Sequence, residues 1–306
     1  MLYSAFHHKP LILCESLKFF LERTRPNARK EFESLTQSLF ERPTLDRENQ
    51  IAYLLRQPAN TIRDLLAKNR LHNCRFEQRR NRAERALSVK RYCDNFKIPQ
   101  HDDYLDLIQK DQRSRVIVSF HCGDFLYGSA SLLNLDRNKR KKYVLSLNRS
   151  SSAFYANLAA GFSHEFSATE HELLHGETDS SQLSQILRAG NASILLFCDV
   201  PPGLNETIEV NFLNRRAWFS IGPAILALVN RVPLLPLINY SIGRSSYLRL
   251  GTQIEPILLP SETLRCGAER ITQILISFFE SIFLKHPEQW RFLSLLPCYF
   301  SELNSE

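Results

Sequence analysis

Short apolar runs and amphipathic segments alternate along the chain from residue 115 onward. The apolar runs are rich in β-branched and aromatic residues, which favours buried strands. Strands are predicted at 116–120, 143–147, 164–167, 193–198, 234–240 and 247–257, with a hairpin over 207–213 and 216–219. Apolar residues three and four apart predict helices at 125–135, 150–160, 180–188, 222–229 and 262–284. This alternation predicts an α/β fold with a central mixed sheet flanked by helices.

The first 110 residues show helical spacing instead. A helix over 46–66 is expected to break at Pro58, because proline lacks the N–H that a helix interior needs. A second, arginine-rich helix is predicted at 75–92 and a short one at 104–108. Residues 11–21 carry an amphipathic pattern that suits packing on the core, with docking to a membrane surface as the alternative.

The change of pattern near residue 110 sets the predicted domain organisation. We expect a helical N-terminal cap over residues 1–110 and an α/β domain over residues 111–306. A cap of this kind packs onto the sheet, so the two parts are expected to form one compact unit.

Charge and cysteine content narrow the class of protein. The formal net charge of +7 indicates an anionic partner. A nucleic acid is one such partner, but the chain has no recognisable nucleic-acid motif, and its acidic residues are interspersed with the basic ones.

Seven widely spaced cysteines without a C-x-x-C pair favour reduced thiols over disulfides or zinc. Apolar runs in residues 1–30 fall far short of the roughly 20 residues that span a bilayer, and no secretory signal is expected.

The residues that follow the strand at 116–120 carry the clearest chemistry. His121 lies where this strand ends and a helix begins, which is where open α/β sheets place reactive groups. Asp124, three residues on, can hold one nitrogen of the imidazole while the other takes a proton from a hydroxyl. The alternative is that Asp124 only caps the helix that begins near Phe125.

Several motifs occur in a fixed order along 116–292. They are His121-Cys122-Gly123-Asp124-Phe125-Leu126, Leu147-Asn148-Arg149, Leu196-Phe197-Cys198-Asp199, Val210-Asn211-Phe212-Leu213-Asn214-Arg215-Arg216-Ala217, Gly222-Pro223 and Pro287-Glu288-Gln289-Trp290. This order resembles the lysophospholipid acyltransferase superfamily, and most of all its late lipid A acyltransferases and mycobacterial mannoside acyltransferases. The resemblance implies an α/β transferase in which His121 is the general base.

The chain departs from that family at one catalytic position. The family places an acid five residues after the histidine, where this chain has Leu126. Asp124 is the local candidate to replace it, and Asp199 is a candidate from the end of the neighbouring strand. A noncatalytic lipid-binding relative is the alternative. The displaced acid is similar to the atypical site of the lipid A glycyl transferases of polymyxin resistance (Alm type).

The resemblance also implies substrates and partners. The expected donor is a thioester on the phosphopantetheine arm of a carrier protein, with no resident cofactor. The expected acceptor is a hydroxyl of lipid A, with a related glycolipid as the alternative. Glycine is the transferred group expected from the displaced acid, with a fatty acyl group as the alternative. The expected location is peripheral, at the cytoplasmic face of the inner membrane.

The remaining candidates are substrate anchors and metal ligands. Arg149, Arg215 and Arg216 are the candidate anchors for lipid A phosphates, because a guanidinium group matches phosphate oxygens. His171 and His175 can share a helical face but lack a third ligand, so no metal site is expected. A cysteine nucleophile at Cys122 is disfavoured, because neighbours on an extended chain point to opposite faces.

Overall fold

The computed structural model describes residues 43–83, 96–98, 111–135, 141–146, 171–175 and 180–303. Its helices are α1 (Leu45–Leu55), α2 (Ala59–Ala83), α3 (Phe125–Leu135), α4 (Ser180–Arg188), α5 (Gly222–Asn230) and α6 (Leu264–Phe283). Its strands are β1 (Phe96–Lys97), β2 (Arg115–Ser119), β3 (Lys141–Ser146), β4 (His171–His175), β5 (Ala192–Phe197), β6 (Thr207–Phe212), β7 (Arg215–Ser220), β8 (Leu234–Ile242) and β9 (Ser245–Leu250). Short 3₁₀ helices follow at Pro287–Gln289, Leu293–Tyr299 and Ser301–Leu303.

The main sheet has seven strands in the order β1-β9-β8-β2-β5-β3-β4. Neighbouring strands run parallel except at β8–β9, which forms an antiparallel hairpin. The antiparallel β6–β7 hairpin stands apart as a two-stranded sheet. The predicted α/β class with a central mixed sheet is therefore confirmed.

Strands β2 and β5 set the position of the site. They are parallel neighbours, and their last residues, Ser119 and Phe197, face each other in register. Both strands are buried along nearly their whole length, as expected for strands covered on both faces. The residues that follow them, up to His121 and Asp199, therefore leave the sheet side by side at its carboxyl edge.

An aromatic cluster packs the long helix α6 against the hairpin. Phe279 and Phe283 of α6 contact Phe212 of β6, with ring centroids 5.7 and 5.3 Å away. Phe279 also stacks on Phe120, just after β2, at 4.6 Å. All of these rings are buried, so the cluster ties the C-terminal part of the chain to the end of β2.

Several predicted elements are confirmed and others need correction. The helix predicted at 46–66 does break at Pro58, and the predicted hairpin forms. Residues 171–175 form strand β4 rather than a helical face. The backbones of His171 and His175 are thus about 13 Å apart along an extended strand.

Two strands differ from the prediction for local reasons. Strand β9 ends at Leu250 rather than at 257, because the next residue of β8, Pro236, has no N–H to donate to Gly251. Pairing resumes only as an isolated bridge between Leu234 and Ile254. Strand β1 lies within the segment predicted as entirely helical and pairs in parallel with β9. The predictions at 11–21, 104–108, 150–160 and 164–167 lie outside the described residues.

The described helices include none long and apolar enough to cross a bilayer. This finding concerns residues 43–83, 96–98, 111–135, 141–146, 171–175 and 180–303 alone.

The turn between β2 and α3 depends on a glycine. Gly123 has a φ of +57°, and a Cβ atom there would lie 2.8 Å from the backbone oxygen of Asn239. Gly190 also has positive φ, +82°, but nothing lies within 4 Å of the position that a Cβ atom would take there.

We expect Gly190→Ala to lower the free energy of unfolding by about 1 kcal/mol, the cost of left-handed backbone. Gly123→Ala should cost clearly more, because it adds a clash with backbone. Urea unfolding of both variants measures this difference, and equal losses would contradict the close approach of the turn to β8.

Candidate active site

The imidazole of His121 and the carboxylate of Asp199 meet at the carboxyl edge of the sheet. His121 Nδ1 lies 2.8 Å from Asp199 Oδ1. An ionised carboxylate only accepts hydrogen bonds, so Nδ1 carries the proton and donates a hydrogen bond to Asp199. The other ring nitrogen, Nε2, is then a lone-pair acceptor, which is the state that a general base requires.

The carboxylate of Asp199 is fully buried and takes further hydrogen bonds at its second oxygen. The backbone N–H of His121 and the indole N–H of Trp290 both donate to Asp199 Oδ2, each at 2.8 Å. Tyr299 donates its hydroxyl proton to the Asp199 carbonyl oxygen at 2.7 Å. The hydrogen bonds to the carboxylate itself, from the ring and backbone of His121 and from the Trp290 indole, compensate the loss of water around a group with no exposed surface.

Aromatic rings surround the imidazole. The rings of Phe197, Phe125 and Phe292 lie 4.3, 4.8 and 4.9 Å from it, centroid to centroid. The His121 side chain keeps 10% of its surface exposed. The base is therefore largely shielded from bulk water, and a small part of its side chain stays exposed.

The structure pairs Asp124 with a different partner from the one predicted. Arg79 Nη2 of α2 donates to Asp124 Oδ1, and the carboxylate is almost fully buried. Gly123 turns the chain just before Asp124, so this side chain faces α2, whereas His121 takes its hydrogen bonds from the strand-end Asp199. Of the two acids considered from the sequence, Asp199 is the one that the structure brings to the ring.

Of the three arginines predicted as anchors, one lies outside the described residues and two lie on β7, away from His121. Arg149 is outside the residues that the structure describes.

Arg215 donates to Glu302 at 2.6 Å and lies over the Tyr53 ring at 4.1 Å. Arg216 lies 3.7 Å from both Glu209 and Glu269. Arg215 and Arg216 begin β7, about 16 and 13 Å of strand before Ser220. The Ser220 N–H donates to the Cys198 carbonyl beside the site. The structure therefore does not bring the two arginines to His121.

Trp290 is a residue of the site to which the sequence assigned no role. The Pro287-Glu288-Gln289-Trp290 motif was the available signal, but a motif alone does not show that the indole N–H reaches a carboxylate 91 positions away along the chain. Asp199 was easier to identify from the sequence than Trp290, because it follows a strand predicted to neighbour the strand before His121.

The buried thiols beside the site are poor nucleophiles. Burial, with the nearby Asp199 charge as the second cause, raises the pKa of Cys122 and of Cys198 well above the ordinary thiol value. Within the described residues, no group of three or more His, Cys, Asp or Glu side chains is arranged to hold a metal ion.

We expect the thiols to react with iodoacetamide according to burial. At neutral pH the exposed Cys74 and Cys266 should be alkylated in the folded protein, whereas Cys122 and Cys198 should react only after unfolding. Peptide mass spectrometry gives the extent of labelling at each position. Rapid alkylation of Cys122 in the folded protein would reopen a covalent mechanism through that thiol.

Comparison with known proteins adds a family likeness to this geometry. Residues 167–295 match the family model described as bacterial lipid A biosynthesis acyltransferase. No curated protein matches the chain significantly. The matched segment includes Asp199 and Trp290 but begins after His121. The fold places His121 within hydrogen-bond distance of Asp199 in that segment. This part of the chain is similar to bacterial lipid A biosynthesis acyltransferases, and the likeness supports an acyltransferase that acts on lipid A.

Proposed function

We propose that this protein transfers an acyl group from a carrier-protein thioester to a hydroxyl of lipid A, with His121 as the general base. The observation that carries the proposal is the buried His121–Asp199 pair, joined at 2.8 Å. The likeness of residues 167–295 to lipid A acyltransferases supports the class of reaction and acceptor.

The proposed reaction needs no covalent enzyme intermediate. His121 Nε2 takes the proton of the acceptor hydroxyl as its oxygen attacks the thioester carbonyl carbon. The tetrahedral intermediate collapses, its C–S bond breaks and an ester remains. The protonated imidazole then returns its proton to the departing sulfur. Asp199 holds the ring in the productive orientation and stabilises the imidazolium that forms.

The surroundings of His121 favour an apolar acyl group over glycine. Glycine carries a positive amine at neutral pH, so a free carboxylate at Asp124 would favour glycine transfer by attracting that amine. Arg79 neutralises that carboxylate, and the rings of Phe125 and Phe197 line the imidazole instead. An ammonium group gains little from such a site, whereas an alkyl chain packs well against aromatic rings. We therefore propose a fatty acyl donor, and the glycyl donor is the competitor that experiment must eliminate.

The proposed substrates also imply a location. Lipid A is a membrane glycolipid and acyl carrier proteins are cytoplasmic, so we propose that the protein works peripherally at the cytoplasmic face of the inner membrane. The net charge of +7 favours contact with an anionic surface. The anionic partner is then lipid and carrier protein rather than nucleic acid.

The two acids near the site should respond differently to removal of charge. In Asp199→Asn the amide N–H₂ facing Nδ1 favours the wrong imidazole tautomer, so turnover should fall roughly 100- to 10,000-fold, as in His121→Ala. Asp124→Asn should be much milder, because Asp124 pairs with Arg79 rather than His121. Steady-state kinetics with circular dichroism as a folding control measures this. Comparable losses in the two variants would contradict the assignment of Asp199.

A paired donor assay tests the proposed function itself. Purified protein is incubated with lipid A and with either lauroyl-loaded or glycyl-loaded carrier protein, using His121→Ala as the matched control. We expect lauroyl transfer that depends on His121. Glycine transfer without laurate transfer would replace the fatty acyl donor with the glycyl one, and no transfer from any thioester would favour a noncatalytic relative.

A further inference from the structure

The segment that follows α6 lies against the His121 turn through its backbone. The Gly123 N–H donates to the Gln289 carbonyl at 3.0 Å, and the Arg291 N–H donates to the His121 carbonyl at 2.8 Å. Cys122 and Trp290 form an isolated antiparallel bridge between these two bonds. The backbone of Trp290 and the turn that carries the base are therefore held at a fixed separation.

The indole of Trp290 has a fixed direction within this bridge. It is fully buried among the rings of Phe279, Phe283 and Tyr299, whose centroids lie 5.6, 5.5 and 5.1 Å away. Close packing of this kind disfavours other rotamers of the indole. The indole N–H consequently points at Asp199 Oδ2, 2.8 Å from the nitrogen.

Helix α2 fixes the opposite side of the same segment. Asn69 is fully buried, and its Nδ2 donates to the carbonyls of Glu288 at 2.9 Å and of Trp290 at 2.7 Å. Both N–H groups of the Asn69 amide therefore donate to backbone carbonyls, those of Glu288 and Trp290. Asn73, one turn later, donates to the Arg291 carbonyl at 3.2 Å. Asn69 lies far outside the segment that resembles lipid A acyltransferases.

We propose that Asn69 and Trp290 are positioning residues for the catalytic pair: Asn69 holds the Trp290 backbone, and the Trp290 indole holds Asp199 against His121. This inference rests on the proposed function for its kinetic part. Its physical basis is that, among the residues that the structure describes, Asp199 Oδ2 keeps only the His121 N–H as donor once the indole N–H is removed. The carboxylate can then turn, and the hydrogen bond to the imidazole loses its alignment.

The tryptophan variants test the second step. Trp290→Phe keeps an aromatic ring and removes the N–H, and Trp218→Phe makes the same change at the chain's other tryptophan, on β7. We expect kcat to fall roughly 10- to 100-fold in Trp290→Phe with little change in KM, as for a slightly misplaced base. Trp218→Phe should keep the wild-type kcat. Equal kcat values in wild type and Trp290→Phe would overturn the proposal.

The asparagine variants test the first step. Asn69→Leu removes the amide that holds Trp290. The matched control is Asn230→Leu on α5, which removes an amide that donates to the Leu226 carbonyl at 2.8 Å. Asn69→Leu should lower kcat and Asn230→Leu should not. If Asn69 acts through the indole, adding Asn69→Leu to Trp290→Phe should lower kcat by less than about twofold more. Losses that multiply would show that Asn69 acts independently of Trp290.

Nuclear magnetic resonance makes the inference testable without activity. In ¹⁵N-histidine-labelled protein, the hydrogen-bonded Nδ1–H of His121 is assigned as the signal lost in Asp199→Asn. We expect that signal to move in Trp290→Phe and Asn69→Leu and to stay in Trp218→Phe and Asn230→Leu. An unmoved signal in folded Trp290→Phe overturns the positioning role. A moved signal in a protein without acyl transfer would leave that role intact and reject the proposed function instead.

Discussion

The arrangement of the site depends on one buried charge. A carboxylate with no exposed surface, as at Asp199, is stable only if hydrogen-bond donors replace its lost water. The donors come from distant parts of the chain: the backbone and ring of His121 after β2, and the indole of Trp290 after α6. To satisfy this one group, the fold must bring the ends of β2 and β5 and the segment after α6 to the same place. The requirement that stabilises the charge therefore also assembles the base.

Much of this could be predicted from the sequence, and the reasons for the failures are physical. The α/β class, the break at Pro58 and the β6–β7 hairpin follow from local pattern, and the structure confirms them. Strand β4 was missed because His171 and His175, four apart, fit a helical face as well as a strand. Pro236 shortened β9 through a missing N–H on the partner strand, an effect that no property of β9 itself reveals.

The choice of acid shows where sequence proximity misleads. Asp124 is near His121 in the chain, but the left-handed turn at Gly123 directs it to Arg79. Asp199 is distant in the chain, yet β2 and β5 are parallel, and Ser119 faces Phe197 in register. His121 and Asp199 each come two residues after those partners, so the strand register places them side by side. Strand adjacency supplies that information, and spacing along the chain does not.

Catalysis of acyl transfer to lipid A by the His121–Asp199 pair can be tested in cells. Lipid A is compared by mass spectrometry between cells that produce the wild-type protein, cells that produce the His121→Ala variant and cells that produce neither. We expect lipid A heavier by one fatty acyl group only in cells with the wild-type protein. Lipid A of identical mass in all three, with both proteins folded and equally abundant, would contradict the claim.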